Sequence, residues 1–264
     1  WSPLPTESLH QVDPFLFFIF FGLQQYESNN NGLPFGPHPH RGIETVTFII
    51  EGDIVHKDSG GYESTINKGG VQWMTAGSGL IHAETSSEQF KKDGGDLEIL
   101  QLWLNLPANL KEAEPDYRGL QQNEIPDFSA GNGKIMVNLI SGEWNKQKGA
   151  IEPISPVMLS TIYFEPDGEI VLSAPHDKNI LFYVIRGKLD VGGTQVEKRH
   201  LVEFNDNGDS IEVMAPEKSL LLYGYADPIN EPVVARGPFV MNSEAEIKEA
   251  WNDYYAGKMG KWEE

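Results

Sequence analysis

The 264-residue chain contains no cysteine and carries a formal net charge of −19. The lack of cysteine excludes disulfide bonds, thiolate nucleophiles and iron–sulfur clusters, so any metal ion would be held by histidine and carboxylate side chains. The acidic charge disfavours contact with nucleic-acid phosphates and anionic membranes, and we expect neither as a partner. The length allows one large domain or two ordinary ones.

Short apolar segments separated by turn residues dominate the chain, which is the pattern of an all-β protein. The first, 15–21, is strongly apolar but too short to cross a membrane, and it is predicted to be a buried strand. The polar stretches 107–134 and 142–153 are predicted to be irregular connections. Further strands are predicted at 44–50, 53–57, 71–75, 97–106, 135–140, 157–164, 169–173, 180–186, 188–192, 200–204, 210–214 and 219–225.

One helix is predicted, near the C-terminus. Ser243 is a suitable N-cap, and Glu246 three residues later completes a capping box. The helix is expected to run to about Tyr255 and to stop near Gly257. No basic segment of the kind that opens a secretory signal precedes the first strand, so we expect a cytoplasmic location.

Two segments about half a chain apart resemble each other. Residues 46–52 (VTFIIEG) and 181–187 (LFYVIRG) both give an apolar strand, one charged residue and a glycine turn. This repeat predicts two similar domains, 1–134 and 135–264, with the C-terminal helix in the second. Isolated histidines such as His176 are expected to have no metal role, so the second domain is predicted to be a degenerate copy.

Two short elements predict a metal site: His38-Pro39-His40 and, further on, His82-Ala83-Glu84. On a β-strand, residues i and i+2 point to the same face, so each element presents two side chains in one direction. Two such strands facing each other bring together three imidazoles and a carboxylate. This set suits a divalent first-row metal, with iron, manganese, copper, nickel and zinc all compatible. Two unrelated surface clusters are the alternative, which the small number of histidines, seven in all, disfavours.

Longer motifs extend this pattern into a family resemblance. The segments HPHRGIETV (38–46), QWMTAGSGLIHAE (72–84) and LQLWLNLP (100–107) resemble the pirin family of the cupin superfamily. The segments DPFL (13–16) and GPFVMN (237–242) are also similar to pirins, so the resemblance spans nearly the whole chain.

The resemblance implies a bicupin, two cupin-type β-barrels with one metal in the N-terminal barrel. Iron(II) is the metal it implies, and the ligands it implies are His38, His40, His82 and Glu84. It also implies a quercetin 2,3-dioxygenase type of reaction, the O2-dependent ring opening of a flavonol with release of carbon monoxide. Glu84 is then the expected catalytic base. The alternative function is a non-enzymatic, iron-dependent regulatory protein that acts through protein partners. We expect a monomer.

Two other polar residues have open roles. In many cupins the glutamate of the first motif is a ligand, and strand parity would place Glu44 on the face of His40 unless a bulge at Gly42 intervenes. The resemblance to pirins assigns the carboxylate ligand to Glu84, which leaves Glu44 as a residue behind the ligands or an ordinary buried polar group. His56 is expected either behind the ligands or on the surface.

Apolar side chains near the ligands are candidates for the wall of an aromatic-binding pocket. They are Phe48, Trp73, Met74 and Trp103, and Gln101 is expected to donate a hydrogen bond into the same cavity. The alternative for each apolar residue is barrel core. Pirins usually carry polar residues after the DPFL segment, whereas this chain continues with the apolar run 17–21.

Overall fold

The computed structural model describes residues 2–205 and 207–262, which form two compact units. Unit 1 contains residues 2–11, 15–123 and 229–262. Unit 2 contains the described residues of 12–14 and 124–228. The predicted all-β class is confirmed, since both units are built from antiparallel β-sheets.

The N-terminal part of unit 1 alternates strands that belong to two sheets. Within the first sheet the strand order is β1-β8-β3-β6-β9, and within the second it is β2-β7-β4-β5. In chain order the elements are β1 (Phe15–Tyr26), β2 (Phe35–His40), β3 (Ile43–Glu51), β4 (Asp53–Asp58), β5 (Glu63–Asn67), β6 (Val71–Thr75), β7 (Leu80–Thr85), α1 (Glu88–Asp93), β8 (Gly95–Asn105) and β9 (Asp116–Leu120).

Unit 2 repeats this arrangement. Its larger sheet has the order β10-β11-β14-β21-β16-β19 and its smaller sheet β15-β20-β17-β18, while β12 and β13 form a hairpin. The elements are β10 (Asp127–Ala130), β11 (Ile135–Ser141), β12 (Glu143–Trp144), β13 (Gln147–Lys148), β14 (Val157–Phe164), β15 (Gly168–Ser173), β16 (Asn179–Arg186), β17 (Lys188–Val191), β18 (Thr194–Glu197), β19 (His200–Leu201), β20 (Ser210–Ala215) and β21 (Ser219–Ala226).

The internal repeat seen in the sequence corresponds to equivalent strands. VTFIIEG lies in β3 and LFYVIRG in β16, and each strand ends at the charged residue of the motif. The glycines that follow, Gly52 and Gly187, have positive φ angles of 82° and 76°. Glycine adopts this left-handed conformation without steric cost, so both strands turn in the same way.

Two hydrophobic core clusters lie inside unit 1. The first core cluster contains Leu16, Ile43, Met74, Ala76, Leu80, Tyr117 and Val240. The second core cluster contains Leu33, Ile49, Ile54, Ile66, Phe90, Leu97 and Ile99. Both take side chains from the two sheets, which places the cores between the sheets. Burial of these apolar surfaces is the main term that holds the sheets together.

The C-terminal segment returns to unit 1, which differs from the expected division at residue 134. It forms β22 (Val234–Arg236), β23 (Phe239–Met241) and α2 (Glu244–Tyr255). Its own apolar cluster, Phe239, Met241, Ile247, Ala250 and Met259, packs against Ile81 of β7. The other end of the expected boundary also shifts, because β10 pairs with β11 and therefore belongs to unit 2.

Polar contacts fix the same segment to the turn that follows β2. Arg41 donates hydrogen bonds to Asp253 of α2 (3.1 Å) and to the carbonyl of Ser78 (2.6 Å). The Lys111 ammonium donates to the carbonyls of Gly42 and Val240, at 2.9 and 3.1 Å. Burial lowers the pKa of Lys111 to about 8. These contacts join residues far apart in sequence, so the C-terminus is part of the fold of unit 1.

The helix prediction is confirmed at its N-terminus, where Ser243 caps α2 and accepts a hydrogen bond from the backbone N–H of Glu246. Helix α1, capped by Ser87, was not predicted because six residues are too few to show helical periodicity. The stretch 107–134 contains β9 and β10 as well as irregular turns. Neither helix in the described part of the chain is long and apolar enough to cross a membrane.

Gly42 allows the chain to pass from β2 in one sheet to β3 in the other. Its φ angle is 79°, and a Cβ atom at this position would lie 2.0 Å from the carbonyl oxygen of Val240. We expect Gly42→Ala to lower the free energy of unfolding by about 3 kcal/mol or more, because it combines backbone strain with a backbone clash.

Chemical denaturation would measure this loss against two control variants. Gly61→Ala, at φ 92° with open space around its Cβ, would show the strain alone. Gly36→Ala, with open space and no positive φ, should change stability by less than about 1 kcal/mol. A Gly42→Ala cost equal to that of Gly61→Ala would refute the close approach to Val240.

Candidate metal centre and its cavity

Three histidines converge between the two sheets of unit 1. His38 and His40 lie on β2 and His82 on β7, where His38 pairs directly with His82. A register shift between Phe35 and His38 bends β2 so that His38 faces inward. One ligand nitrogen from each of the three rings lies within 4.8 Å of the others. Metal–nitrogen bonds of about 2.1 Å would require only a small inward movement of the rings.

Hydrogen bonds at the other ring nitrogens orient two of these imidazoles. His38 Nδ1 lies 2.8 Å from the carbonyl of Gly36, and His40 Nδ1 lies 3.1 Å from the carbonyl of Pro238. If each Nδ1 carries the proton and donates it, each Nε2 keeps a lone pair for a metal. Backbone carbonyls commonly fix metal-binding histidines in this way. The Pro238 contact makes the C-terminal segment part of the site.

His82 provides the test of whether a metal ion fits. Its ring is 1% exposed, and both nitrogens are buried without a hydrogen-bond partner among the described residues. Buried polar atoms without partners are rare and costly. A metal ion bound to one nitrogen would satisfy that atom. The three imidazoles therefore fit a metal site.

Of these three histidines, the two buried ones, His40 and His82, are neutral near pH 7, as metal ligands must be. Burial, with a smaller effect from the charge of His38, lowers the pKa of His40 to about 3. Burial also lowers the pKa of His82 well below its usual value, and the neighbouring histidines add to this shift. A proton therefore competes weakly for these nitrogens.

Glu84 lies two residues after His82 on β7 and lines the same cavity. Its Oε1 accepts hydrogen bonds from Thr47 (3.2 Å) and from the amide of Gln72. Its Oε2 accepts one from Gln101 at 2.7 Å. Sheet register explains this set, since Gln101, Thr47 and Gln72 are neighbours in one row across β8, β3 and β6. The row holds the carboxylate in one orientation.

His56 is buried next to His82 rather than exposed on the surface. It pairs with Glu84 across β4 and β7, and its ring centre is 5.5 Å from that of His82. His56 Nε2 lies 2.8 Å from Asp58, and the ring stacks on Tyr117 with centroids 3.8 Å apart. The Tyr117 hydroxyl donates to Gln72 at 3.3 Å, which connects this pair to the residues that hold Glu84.

Glu44 lies on the opposite face of the sheet from Thr47. Because β2 ends at His40 and β3 begins at Ile43 in the other sheet, the expected parity with His40 does not apply. Glu44 accepts hydrogen bonds from Trp73 and Thr75, and its second oxygen is buried without a partner among the described residues. Burial raises its pKa to about 7. It matches the buried-polar alternative.

A cavity of about 240 Å³ opens beside the histidines. Of the expected pocket residues, Gln101 and Trp103 line it, whereas Phe48, Trp73 and Met74 are not among the described lining residues. Phe48 and Trp73 lie on the outward face of their strands, since Phe48 is adjacent to Thr47 and Trp73 to Gln72. Met74 belongs to the first core cluster. The lining residues are Ile19, Phe21, Leu33, Phe35, His38, His40, Thr47, Ile54, Glu84, Ile99, Gln101, Trp103, Gly237 and Pro238.

Several residues of the site were not predicted. Gln72 and Thr47 hold Glu84, Asp58 and Tyr117 hold His56, and the Pro238 carbonyl orients His40. The available signal for Thr47 and Gln72 was a polar residue inside an apolar strand, at the spacing that faces Gln101. Pro238 gave no signal, because its contribution is a backbone carbonyl whose position depends on the tertiary fold.

Fold and site together define a two-unit cupin with a candidate metal centre in unit 1. Two family models match the chain, Pirin over residues 2–104 and the Pirin C-terminal cupin domain over residues 159–260. The chain belongs to the pirin family.

Named relatives agree with this assignment. Pirin-1 of Arabidopsis thaliana is 37% identical over 94% of this chain and 84% of that protein. A Pseudomonas aeruginosa protein that is provisionally named a quercetin 2,3-dioxygenase is 33% identical over 94% of this chain and 86% of that protein. The crystal structure of quercetin 2,3-dioxygenase from Acinetobacter baumannii matches with a TM-score of 0.91 and 34% identity, over 97% of this chain and 89% of that one.

Stability should depend on pH through Glu44. Its raised pKa means that the folded state holds a proton between about pH 4.5 and 7, where the unfolded carboxyl is ionised. Its contribution to stability is therefore full below about pH 4.5 and is lost as the pH rises through about 7. Glu44→Gln keeps an acceptor oxygen for Trp73 and Thr75 but cannot ionise. The variant therefore does not lose this stability as the pH rises. We expect its stability relative to the parent to rise by about 3 kcal/mol from pH 4 to pH 8.

Urea denaturation of both proteins across this pH range would measure the difference. A difference that stays constant with pH would show that the pKa of Glu44 is the same in the folded and unfolded states, which would contradict the raised pKa.

Metal binding should depend on the three histidines. We expect the protein to take up one Zn(II) per chain, a redox-silent probe, with a rise in Tm of the kind that native-state ligands produce. His38→Gln and His82→Gln should weaken binding by at least about 100-fold, because each removes one ligand. Metal analysis after dialysis and thermal denaturation would measure both effects. The control is His176→Gln, an exposed histidine of unit 2; equal loss in all three variants would argue against this site.

Proposed function

We propose that the protein is a metal-dependent dioxygenase of the quercetin 2,3-dioxygenase type. The observation that carries this proposal is the buried His82 ring, whose nitrogens have no hydrogen-bond partner among the described residues, beside two further imidazoles and a mainly apolar cavity. The likeness to the Acinetobacter baumannii quercetin 2,3-dioxygenase supports the same reaction class. The proposed ligands are His38, His40, His82 and Glu84, and the proposed metal is Fe(II).

When bound, the metal would act as a Lewis acid and would offer coordination positions for a hydroxyl-bearing substrate and O2. The chain itself supplies orientation and exclusion of water. The cavity wall is largely aliphatic and aromatic, so it would hold a flat aromatic ring system by apolar contact. Trp103 packs edge-on against His40, with centroids 4.9 Å apart, and so borders the metal end.

Glu84 is the proposed proton acceptor for the substrate hydroxyl. A carboxylate oxygen can accept more than one hydrogen bond, and Oε2 has a single described donor, Gln101. Oε2 is therefore open to a further donor from the cavity. Because Gln72, Gln101 and Thr47 hold the carboxylate in place, it would need no rearrangement to accept the proton.

A regulatory role through protein partners is the second candidate. The observation that favours it is the hydrogen bond from His40 to Pro238, because Pro238 leads directly into β23 and α2. A change at the metal would be transmitted along this segment to α2, whose last residue is the exposed Tyr255. In this case no turnover of substrate is needed.

Turnover would distinguish the two. The protein is loaded anaerobically with Fe(II), and quercetin and then air are added. We expect loss of the visible absorbance of quercetin, with one O2 consumed for each carbon monoxide released. Glu84→Gln should lower kcat by at least about 100-fold, since it cannot accept the proton. His82→Ala should abolish turnover, and His176→Gln should retain it.

Absence of carbon monoxide with iron, copper, manganese and nickel, despite uptake of each metal, would contradict the dioxygenase proposal. The regulatory candidate would then predict a metal-dependent change in hydrogen exchange of α2.

A further inference from the structure

The cavity offers a ligand polar groups at one end and in its middle, but not at its other end. Along β8 the lining residues run from Trp103 through Gln101 to Ile99, and their partners on β1 are Phe17, Ile19 and Phe21. The histidines lie at the Trp103 end. The cavity therefore has a metal end, a middle row at Gln101 and a far end at Ile99.

The polar side chains of the middle row are largely occupied with one another. Gln101 Nε2 donates to Thr47 and to Glu84, and Thr47 donates to Glu84. The oxygen of Gln101 accepts from Trp103 at 3.3 Å. The hydrogen-bonding capacity left for a ligand consists of acceptor positions in this row and the nitrogens of the metal end.

The far end is apolar and mostly buried. It is formed by Phe21, Leu33, Phe35, Ile54 and Ile99, which belong to the second core cluster or pack against it. Leu33, Ile54 and Ile99 are 5%, 2% and 2% exposed, whereas Phe21 and Phe35 are partly exposed, so a ligand group placed against the three aliphatic side chains would be shielded from solvent. Phe21 and Phe35, from opposite sheets, meet edge to face with centroids 5.1 Å apart. No described side chain at this end offers a hydrogen bond.

We propose that the preferred substrate is a compact aromatic compound with an adjacent hydroxyl and carbonyl at its head and no hydroxyl on its distal ring. This inference rests on the proposed function and narrows its substrate class. The head would lie at the histidines and the distal ring against Ile54 and Ile99. Quercetin carries hydroxyls on both of its outer rings, so either orientation would bury hydroxyls without partners at the far end. Each such group weakens binding by about tenfold or more.

The test compares quercetin with 3-hydroxyflavone, which has the same head and no other hydroxyl. Binding is measured under argon by absorbance titration, with metal-free and with Fe(II)-loaded protein, before air is admitted. We expect 3-hydroxyflavone to bind at least about tenfold more tightly in both forms and to show the higher kcat/KM. Equal affinity, tighter binding of quercetin, or no binding of either compound would overturn the inference.

Variants at neighbouring positions of β4 isolate the cause. Ile54→Thr places a hydroxyl at the far end and should reduce the preference for 3-hydroxyflavone at least about threefold. Ile54→Val removes a methylene without adding a hydroxyl, and Val55→Thr adds one on the half-buried outer face; both should keep the preference. If Ile54→Thr does not fold, Ile99→Thr on β8 tests the same reduction in the preference for 3-hydroxyflavone. An unchanged preference in the folded threonine variant would overturn the assignment of these residues.

The binding and turnover measurements separate this inference from the proposed function. Selective binding of 3-hydroxyflavone without O2 uptake would uphold the cavity assignment and refute the dioxygenase. Turnover of both flavonols with equal kcat/KM would uphold the dioxygenase and refute the selectivity.

Discussion

The site depends on the alternation of side chains in two sheets whose inner faces meet in unit 1. In the first sheet, every second residue of β8, β3 and β6 points inward, which places Gln101, Thr47 and Gln72 in one row. In the second, β7 presents His82 and Glu84 inward. A slip of one residue in any of these strands would turn its polar groups away from the cavity and its outer residues into it. The pairing register therefore determines the chemistry of the site.

Two buried carboxylates show how strongly position decides the role of the same side chain. Glu84 faces the cavity, and three donors surround it. Glu44 faces the other way with two donors on one oxygen, and burial raises its pKa to about 7. A carboxylate that is hydrogen-bonded on both oxygens and faces an open cavity suits proton transfer. One enclosed beside Trp73 and Thr75 has no access to a ligand, so its effect is on stability.

The sequence was sufficient to predict the β class, most central strands, the capped C-terminal helix and the convergence of three histidines. Period-two spacing indicates the strands and the convergence of the histidines, and the Ser243–Glu246 capping pattern indicates the helix. Phe48 and Trp73 were misplaced because hydrophobicity alone does not identify the inward face of a strand that is buried on both sides. Successive side chains of a strand point to opposite faces. Taking Gln101 and Thr47 as inward-facing would therefore have placed Phe48 and Trp73 on the outward face. The return of the C-terminal segment to unit 1 could not be predicted, since it depends on contacts between residues far apart in the chain.

That return has a consequence for how the metal end is built. The His40 imidazole is oriented by a carbonyl almost two hundred residues later in the chain, although the three clustered histidines come from two adjacent strands. A backbone carbonyl can be supplied by any residue type, so the requirement falls on the position of the segment rather than on the identity of Pro238. The position is secured by Arg41 to Asp253 and by Lys111 to Val240. Arg41 directly follows His40, so the contacts that dock the C-terminal segment also fix the end of the strand that carries two of the three histidines.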